Sequence, residues 1–164
     1  MKNVGYVILR ILPLALGLGA AVAAHSQNHT DSLLLQLDEY RAQYNYQMFC
    51  QGCHTPSGQG GSSVPDLRRF MGYFLKTQKG REYLVRVPGS ANSVLSDTHL
   101  AEVLNWMLLK FADDSLPANW RPYDPSEVSY YRREPLYEVV EYRIDLLTEL
   151  PVSQLPKNNQ PTDI

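Results

Sequence analysis

The sequence predicts an all-α fold. Apolar residues recur at spacings of three and four in several stretches, helix-capping residues precede these stretches, and the alternating pattern of strands is scarce. With 164 residues, 44% of them hydrophobic and 20% charged, the chain has the size and composition of one globular domain. Its formal net charge of −2 provides no basic field, so we set nucleic-acid binding aside.

The N-terminus has the pattern of a secretory signal peptide. Lys2 provides a positive start, residues 11–24 are uncharged and almost wholly apolar, and residues 21–24 offer small side chains for cleavage. The apolar run after Arg10 is shorter than the roughly 18 residues that a membrane span needs. We therefore predict a cleaved signal peptide at residues 1–24, with an uncleaved anchor as the alternative, and no membrane span in the mature chain.

A first helix is predicted to begin at Thr30 or Asp31, both of which are good N-cap residues, and to run directly into Cys50. Its inward face is predicted from residues that recur at spacings of four and three. They are Leu33, Leu37, Tyr40, Tyr44 and Met48.

The middle of the chain is predicted to be mostly irregular. Residues 55–66 are rich in Gly, Ser and Pro and should form a loop, and a short helix is expected over residues 67–75. Because Gly80, Pro88 and Gly89 interrupt the next stretch, we expect a loop with a brief extended piece at residues 83–87.

The clearest helix follows Ser96, an N-cap residue that precedes the favourably charged Asp97. The helix should end near Ala112. Its predicted apolar face consists of Leu100, Val103, Leu104, Met107, Leu108 and Phe111.

Two further helices are predicted after a linker. Asp124 as N-cap, Pro125 at the first position and Glu127 at the third open a helix that extends to about residue 133. Pro135 opens another, and residues from 151 onward should be frayed. The inward residues of that last helix are predicted to be Leu136, Val139, Val140, Ile144 and Leu147.

A pentapeptide at residues 50–54 carries the strongest functional signal. Cys50, Cys53 and His54 form C-x-x-C-H, the attachment sequence of c-type haem. Two thiols three positions apart on a helical turn reach the two vinyl groups of one porphyrin and form thioethers. The adjacent histidine then binds the iron as its proximal axial ligand. We predict one covalent haem c, whose attachment outside the bacterial cytoplasm agrees with an export signal.

Three other interpretations of the cysteines compete with haem attachment. They could be an incidental pair beside a surface histidine. A thioredoxin-like dithiol also uses C-x-x-C, but it normally follows a strand, whereas Cys50 follows a predicted helix. A zinc site needs four ligands, and His25, His29 and His99, which could complete it, are scattered along the chain. We favour haem over all three.

With these residues, the chain resembles the class I cytochromes c of bacteria over residues 30–112. The matching features are a helix leading into C-x-x-C-H, a Gly-rich loop that ends in Val-Pro-Asp-Leu at residues 64–67, and a last helix introduced by Leu-Ser-Asp at residues 95–97. The resemblance implies a small cytochrome fold around one haem. Residues 117–150 would form a C-terminal helical extension outside it.

The resemblance also implies roles for residues around the haem. The carbonyl of Pro65 would accept a hydrogen bond from the ring N–H of His54 and so fix its tautomer. Val64 and Leu67 would pack against the haem edge.

The chain departs from the family at the sixth iron ligand. Class I members usually supply a methionine shortly before the last helix, whereas residues 83–89 contain Pro88 and no methionine. A His/Met iron suits electron transfer, and an iron with an open sixth position can bind small ligands. The sixth position therefore stays unassigned. The candidates are Met71, Asn92, His99, Met107 and no protein ligand at all.

We expect a periplasmic electron-transfer protein that passes single electrons from a dehydrogenase-type donor to a respiratory acceptor. No catalytic triad, phosphate loop or pair of carboxylates indicates an enzyme. The alternatives are a small-ligand-binding or sensing haem protein and a fixed cytochrome subunit of an oxidoreductase complex. For residues 117–150, a helical cover over the haem domain is favoured over a partner-docking appendage.

Overall fold

The structure, a computed structural model, describes residues 32, 34, 36–61 and 63–149. The predicted signal peptide, the predicted N-caps Thr30 and Asp31 and the predicted frayed end lie outside these residues. The α-helices are Glu39–Phe49 (α1), Gln51–His54 (α2), Gln78–Arg86 (α3), Pro88–Ala91 (α4), Asp97–Phe111 (α5), Pro125–Tyr131 (α6) and Val139–Thr148 (α7). Short 3-10 helices occupy Met71–Lys76 and Asp113–Ser115.

The described part of the chain is all-α, as predicted. Gly61 and Val64 form an isolated antiparallel bridge, and the described residues contain no strand. Within the same residues, no helix has both the length and the apolar character that crossing a bilayer requires.

Helix α1 packs against α5 in the centre of the core. The ring of Tyr46 is buried, with its centroid 5.3 Å from those of Trp106 and Phe111. Its hydroxyl donates to the carbonyl oxygen of Thr55 at 2.6 Å. A tyrosine can be buried here because that hydrogen bond satisfies its polar end.

Helix α1 begins at Glu39, so the predicted uninterrupted helix from Thr30 is wrong. The carboxylate of Asp38 caps it by accepting from the backbone N–H of Arg41 at 3.1 Å. Glu102 of α5 accepts from the backbone N–H of Asp38 at 2.9 Å and pairs with the Arg41 guanidinium at 2.7 Å. These contacts satisfy N–H groups at the helix start and tie it to α5.

The predicted inward stripe is wrong for three of its five residues, and Leu33, another of them, lies outside the residues that the structure describes. Tyr40 is 89% exposed, and Tyr44 and Met48 are each 58% exposed, whereas Leu37 is partly buried against the core. Two stripes with the same spacing compete in this helix, and the small side chain of Ala42 allows the other stripe to approach α5 closely. The buried residues of α1 are Ala42, Asn45 and Tyr46.

Residues 76–94 are largely helical, contrary to the predicted loop and extended piece. Thr77 caps α3, because its hydroxyl accepts from the backbone N–H of Gly80 at 3.0 Å, and Pro88 occupies the first turn of α4. A Cβ at position 80 would overlap the carbonyl oxygen of Phe74, so Gly80 permits close packing. The helix predicted over residues 67–75 is a 3-10 helix that starts later, at Met71.

The N-cap residues predicted for α5 and α6, Ser96 and Asp124, are confirmed. The hydroxyl of Ser96 accepts from the backbone N–H of His99 at 3.3 Å, and every residue of the predicted α5 face is buried. The carboxylate of Asp124 accepts from the backbone N–H groups of Ser126 and Glu127, at 2.9 and 3.0 Å. Local hydrogen bonds fix both helix starts, which is why sequence alone locates them.

Helix α7 begins at Val139, later than the predicted start at Pro135. Leu136 and Leu147 are buried as predicted, but Val140 is 46% exposed and Arg143 is buried instead. The C-terminal section packs on the rest of the molecule and contributes to its hydrophobic core through Tyr123, Val128, Leu136, Leu146 and Leu147.

Candidate functional site

A cavity of about 830 Å³ lies between the C-x-x-C-H segment, the following loop, α3, α5 and α7. Its volume falls within the range of small-molecule and cofactor sites, about 300 to 1,000 Å³. Apolar side chains make up much of its wall. Those from α5 are Leu100, Val103, Leu104 and Met107, and those from the α3 region are Leu84 and Val87.

The three motif residues lie together at this cavity. Cys50 follows α1 directly, and α2 carries Cys53 and His54 on one helical turn. The backbone N–H groups of Cys53 and His54 both donate to the carbonyl oxygen of Cys50, at 3.2 and 3.0 Å. All three side chains line the cavity; Cys50 and His54 are partly buried and Cys53 is exposed. The turn thus presents two thiols and one imidazole to a single cavity.

His54 has a defined tautomer. Its Nδ1 lies 3.3 Å from the carbonyl oxygen of Pro65. A carbonyl can only accept, so Nδ1 carries the proton and Nε2 keeps its lone pair. Burial lowers the pKa of His54, with the Pro65 carbonyl acting in the opposite direction, which favours the neutral imidazole that a metal requires. The hydrogen bond implied by the resemblance is therefore present.

A tight loop carries the Pro65 carbonyl to His54. The backbone N–H of Gly60 donates to the carbonyl oxygen of His54 at 3.1 Å, and Gly61 and Val64 exchange backbone hydrogen bonds at 3.0 and 3.3 Å. Gly60 has φ +73°, and a Cβ there would overlap the carbonyl oxygens of Val64 and Pro65. Only glycine combines this conformation with such close backbone contact.

We expect Gly60→Ala to lower the free energy of unfolding by about 1–3 kcal/mol, because alanine strains the backbone and displaces the carbonyl that holds His54. Chemical denaturation followed by circular dichroism measures this change. Gly61→Ala is the matched control, since nothing lies within 4 Å of a Cβ at position 61. Equal stability of the two variants would contradict this account of the loop.

The environment of the Cys50 thiol is unfavourable for thiol–disulfide exchange. Burial, aided by the proximity of Cys53, raises the pKa of Cys50 to about 11. Thiol–disulfide exchange needs a thiolate, and reactive cysteines in C-x-x-C motifs have pKa values lowered to about 3.5–7.5. The environment of Cys50 therefore argues against a thioredoxin-like function.

A zinc site receives no support from the residues that the structure describes. Within them, no group of three or more His, Cys, Asp or Glu side chains is placed to hold a metal ion. His99 does not line the cavity that contains the cysteines, and His25 and His29 lie outside the described residues.

The structure separates the candidates for a sixth ligand into two groups. Met71 and Met107 are buried and line the cavity, whereas Asn92 and His99 do not line it. Met48, predicted to face the core, is exposed. A thioether from the 3-10 helix or from α5 is thus available to a group bound in the cavity.

Val64 and Leu67, expected at the haem edge, both line the cavity. Sequence reasoning missed Arg143 and Tyr83, which line it as well. A signal existed for Arg143, because it lies four residues after Val139 and four before Leu147 on the inward face of α7. Arg143 was left out of the predicted inward face because that face was chosen from apolar residues only.

Comparisons with protein-family models, with curated proteins and with solved structures each found no match. Inference about the cofactor therefore rests on the residues and geometry of this chain.

Proposed function

We propose that this protein carries one haem c, linked by thioethers to Cys50 and Cys53 and ligated at the iron by Nε2 of His54. The observation that carries the proposal is the convergence of both thiols and an imidazole of fixed tautomer on one cavity of cofactor size. The apolar side chains of α5 and α3 suit the porphyrin faces. When bound, the haem supplies a one-electron iron couple.

The proposed role is electron transfer in the periplasm, between a dehydrogenase-type donor and a respiratory acceptor. The N-terminal signal pattern supports export. The apolar side chains in the cavity wall support a carrier, because a haem environment of low polarity raises the reduction potential. In this role the protein's residues hold the haem and its ligands without transforming a substrate.

Mass spectrometry tests haem attachment. The chain is produced in a bacterial host with a haem c maturation system, exported and purified. We expect the mass of the processed polypeptide plus one haem, and the absorption spectrum of a haem c with two thioether links. A mass equal to that of the bare polypeptide would refute the proposal.

A second candidate function is small-ligand binding at an open sixth iron position. The absence of a methionine from residues 83–89, where the resembled family places its ligand, favours it. Carbon monoxide binding distinguishes the two functions. An iron whose six positions are all filled by porphyrin and protein ligands excludes carbon monoxide, whereas a ferrous iron with an open sixth position binds it rapidly.

For the carrier, we expect either Met71→Ala or Met107→Ala to lose the ferric charge-transfer band of sulfur coordination and to gain carbon monoxide binding. Each variant serves as the control for the other, because both residues are buried thioethers at the same cavity. A wild-type protein that lacks the band and binds carbon monoxide rapidly would instead establish the ligand-binding function.

A further inference from the structure

The outer face of α1, formed by Tyr40, Tyr44 and Met48, is apolar and lies in solvent. These side chains follow one another at intervals of four residues and are 89%, 58% and 58% exposed. The opposite face of the helix, with Ala42 and Tyr46, packs against α5, so the described part of the chain leaves the outer face largely uncovered. Large apolar side chains that recur once per turn are typical of a helix face in contact with another surface.

No charged residue interrupts the sequence around this face. Between Arg41 and Asp66 the chain contains no Asp, Glu, Lys or Arg. Gln43 and Gln47, which are exposed on the same helix, are polar but neutral. At the end of α1, Phe49 is 45% exposed and extends the apolar surface to the cavity. Aromatic residues and methionine are enriched at protein interfaces, and charged residues are depleted at the interface core.

The charge distribution indicates which partner fits the outer face of α1. The chain has a formal net charge of −2, and α7 exposes the carboxylates of Glu138, Glu141 and Asp145. Two copies of the chain repel each other where such surfaces meet, because like charges brought together cost free energy. At the outer face of α1 this repulsion is absent. A strongly charged partner would instead have to desolvate its charges against apolar side chains without compensation.

The spacing of the exposed side chains also suits self-association. Residues four apart form a ridge along a helix, and two such ridges interdigitate in the commonest class of helix packing. In a two-fold symmetric dimer both copies use the same surface, so the central residue of the face lies opposite its own copy. We propose that two copies of the protein associate through the outer face of α1, with Tyr44 at the two-fold axis. The face is small against the roughly 800 Å² per partner that standard interfaces bury, so the dimer should dissociate on dilution.

Sedimentation velocity of the purified haem-containing protein, at concentrations from micromolar to millimolar, tests the proposal. We expect the wild type to pass from monomer to dimer as its concentration rises, and high salt should not weaken the dimer because the face is uncharged. Tyr44→Glu should raise the dissociation constant of the dimer at least about tenfold, because it places two carboxylates together at the axis. Tyr130→Glu is the matched control, since Tyr130 is 65% exposed on α6 and its replacement should leave the dissociation constant unchanged.

A mixture of two variants tests whether the occupant is a second copy. Tyr44→Glu and Tyr44→Arg should each be monomeric at concentrations where the wild type is dimeric. Their equimolar mixture should form dimers, because opposite charges then meet at the axis. Circular dichroism checks that each variant is folded, and Met48→Glu replaces Tyr44→Glu if that variant fails to fold.

The proposal is overturned if the wild type is monomeric at every concentration, if Tyr44→Glu dimerises as strongly as Tyr130→Glu, or if the mixture stays monomeric. Wild-type monomers that sediment with phosphatidylcholine vesicles would assign the face to a lipid surface and would also overturn it. No part of this association requires haem. A dimeric protein without haem therefore refutes the proposed function alone, whereas a haem protein that stays monomeric refutes this inference alone.

Discussion

The double variant Cys50→Ala/Cys53→Ala is expected to lose all covalently attached haem. These are the chain's only two cysteines, so no other thiol can form a thioether. The cavity itself should persist, because most of the residues that line it lie outside the C-x-x-C-H segment. Mass spectrometry and acid–acetone extraction measure the loss directly.

The single variants sharpen this test. Cys50 is partly buried at the cavity wall and Cys53 is exposed, and each is expected to retain one thioether when the other is replaced. Ser63→Ala is the control, since Ser63 lines the same cavity and cannot attach haem. Haem that stays with the double variant through extraction would show that the thiols are not the attachment points.

The contiguous parts of the site could be predicted from the sequence, and the parts assembled by tertiary packing could not. Cys50, Cys53 and His54 lie on one turn, so their spacing fixes their relation. The Pro65 contact followed from a family resemblance. Arg143 of α7 and Tyr83 of α3 line the same cavity because the two helices pack together, and no local sequence pattern predicts that packing.

The same distinction explains the errors in the fold. The starts of α5 and α6 depend on hydrogen bonds within a few residues, and both were predicted. Gly80 and Pro88 resemble helix breakers, yet Gly80 fits against the backbone of Phe74 and Pro88 begins a helix. On α1, two stripes have the same periodicity, and only contact with α5 decides between them. Tertiary context overrides local preference at these positions.

The second large effect is expected at a buried ion pair that joins α3 to α6. Nη2 of Arg81 in α3 lies 2.7 Å from Oε2 of Glu127 in α6, and the two side chains are only 7% and 8% exposed. The Arg81 guanidinium also donates to the carbonyl oxygens of Arg121 and Pro122, at 2.5 and 2.9 Å. The guanidinium carbon of Arg81 also lies over the ring of Tyr123, 4.1 Å from the ring centroid.

Glu127→Ala is expected to lower the free energy of unfolding by about 3–5 kcal/mol, because it leaves the buried guanidinium without its carboxylate. Such a loss is a large part of a total stability of about 5–15 kcal/mol. Denaturant unfolding followed by circular dichroism measures it. Glu149→Ala is the matched control: its partner Lys79 is 66% exposed, so its loss should leave stability within experimental error.

A double substitution shows whether the cost comes from the isolated charge. Replacing both partners, in Arg81→Met/Glu127→Leu, removes the buried charges together and should cost less than Glu127→Ala alone. The comparison bears on the proposed haem site, because α3 and α7 both contribute side chains to the cavity wall. If Glu127→Ala were as stable as wild type, the pair would not hold α3 to α6.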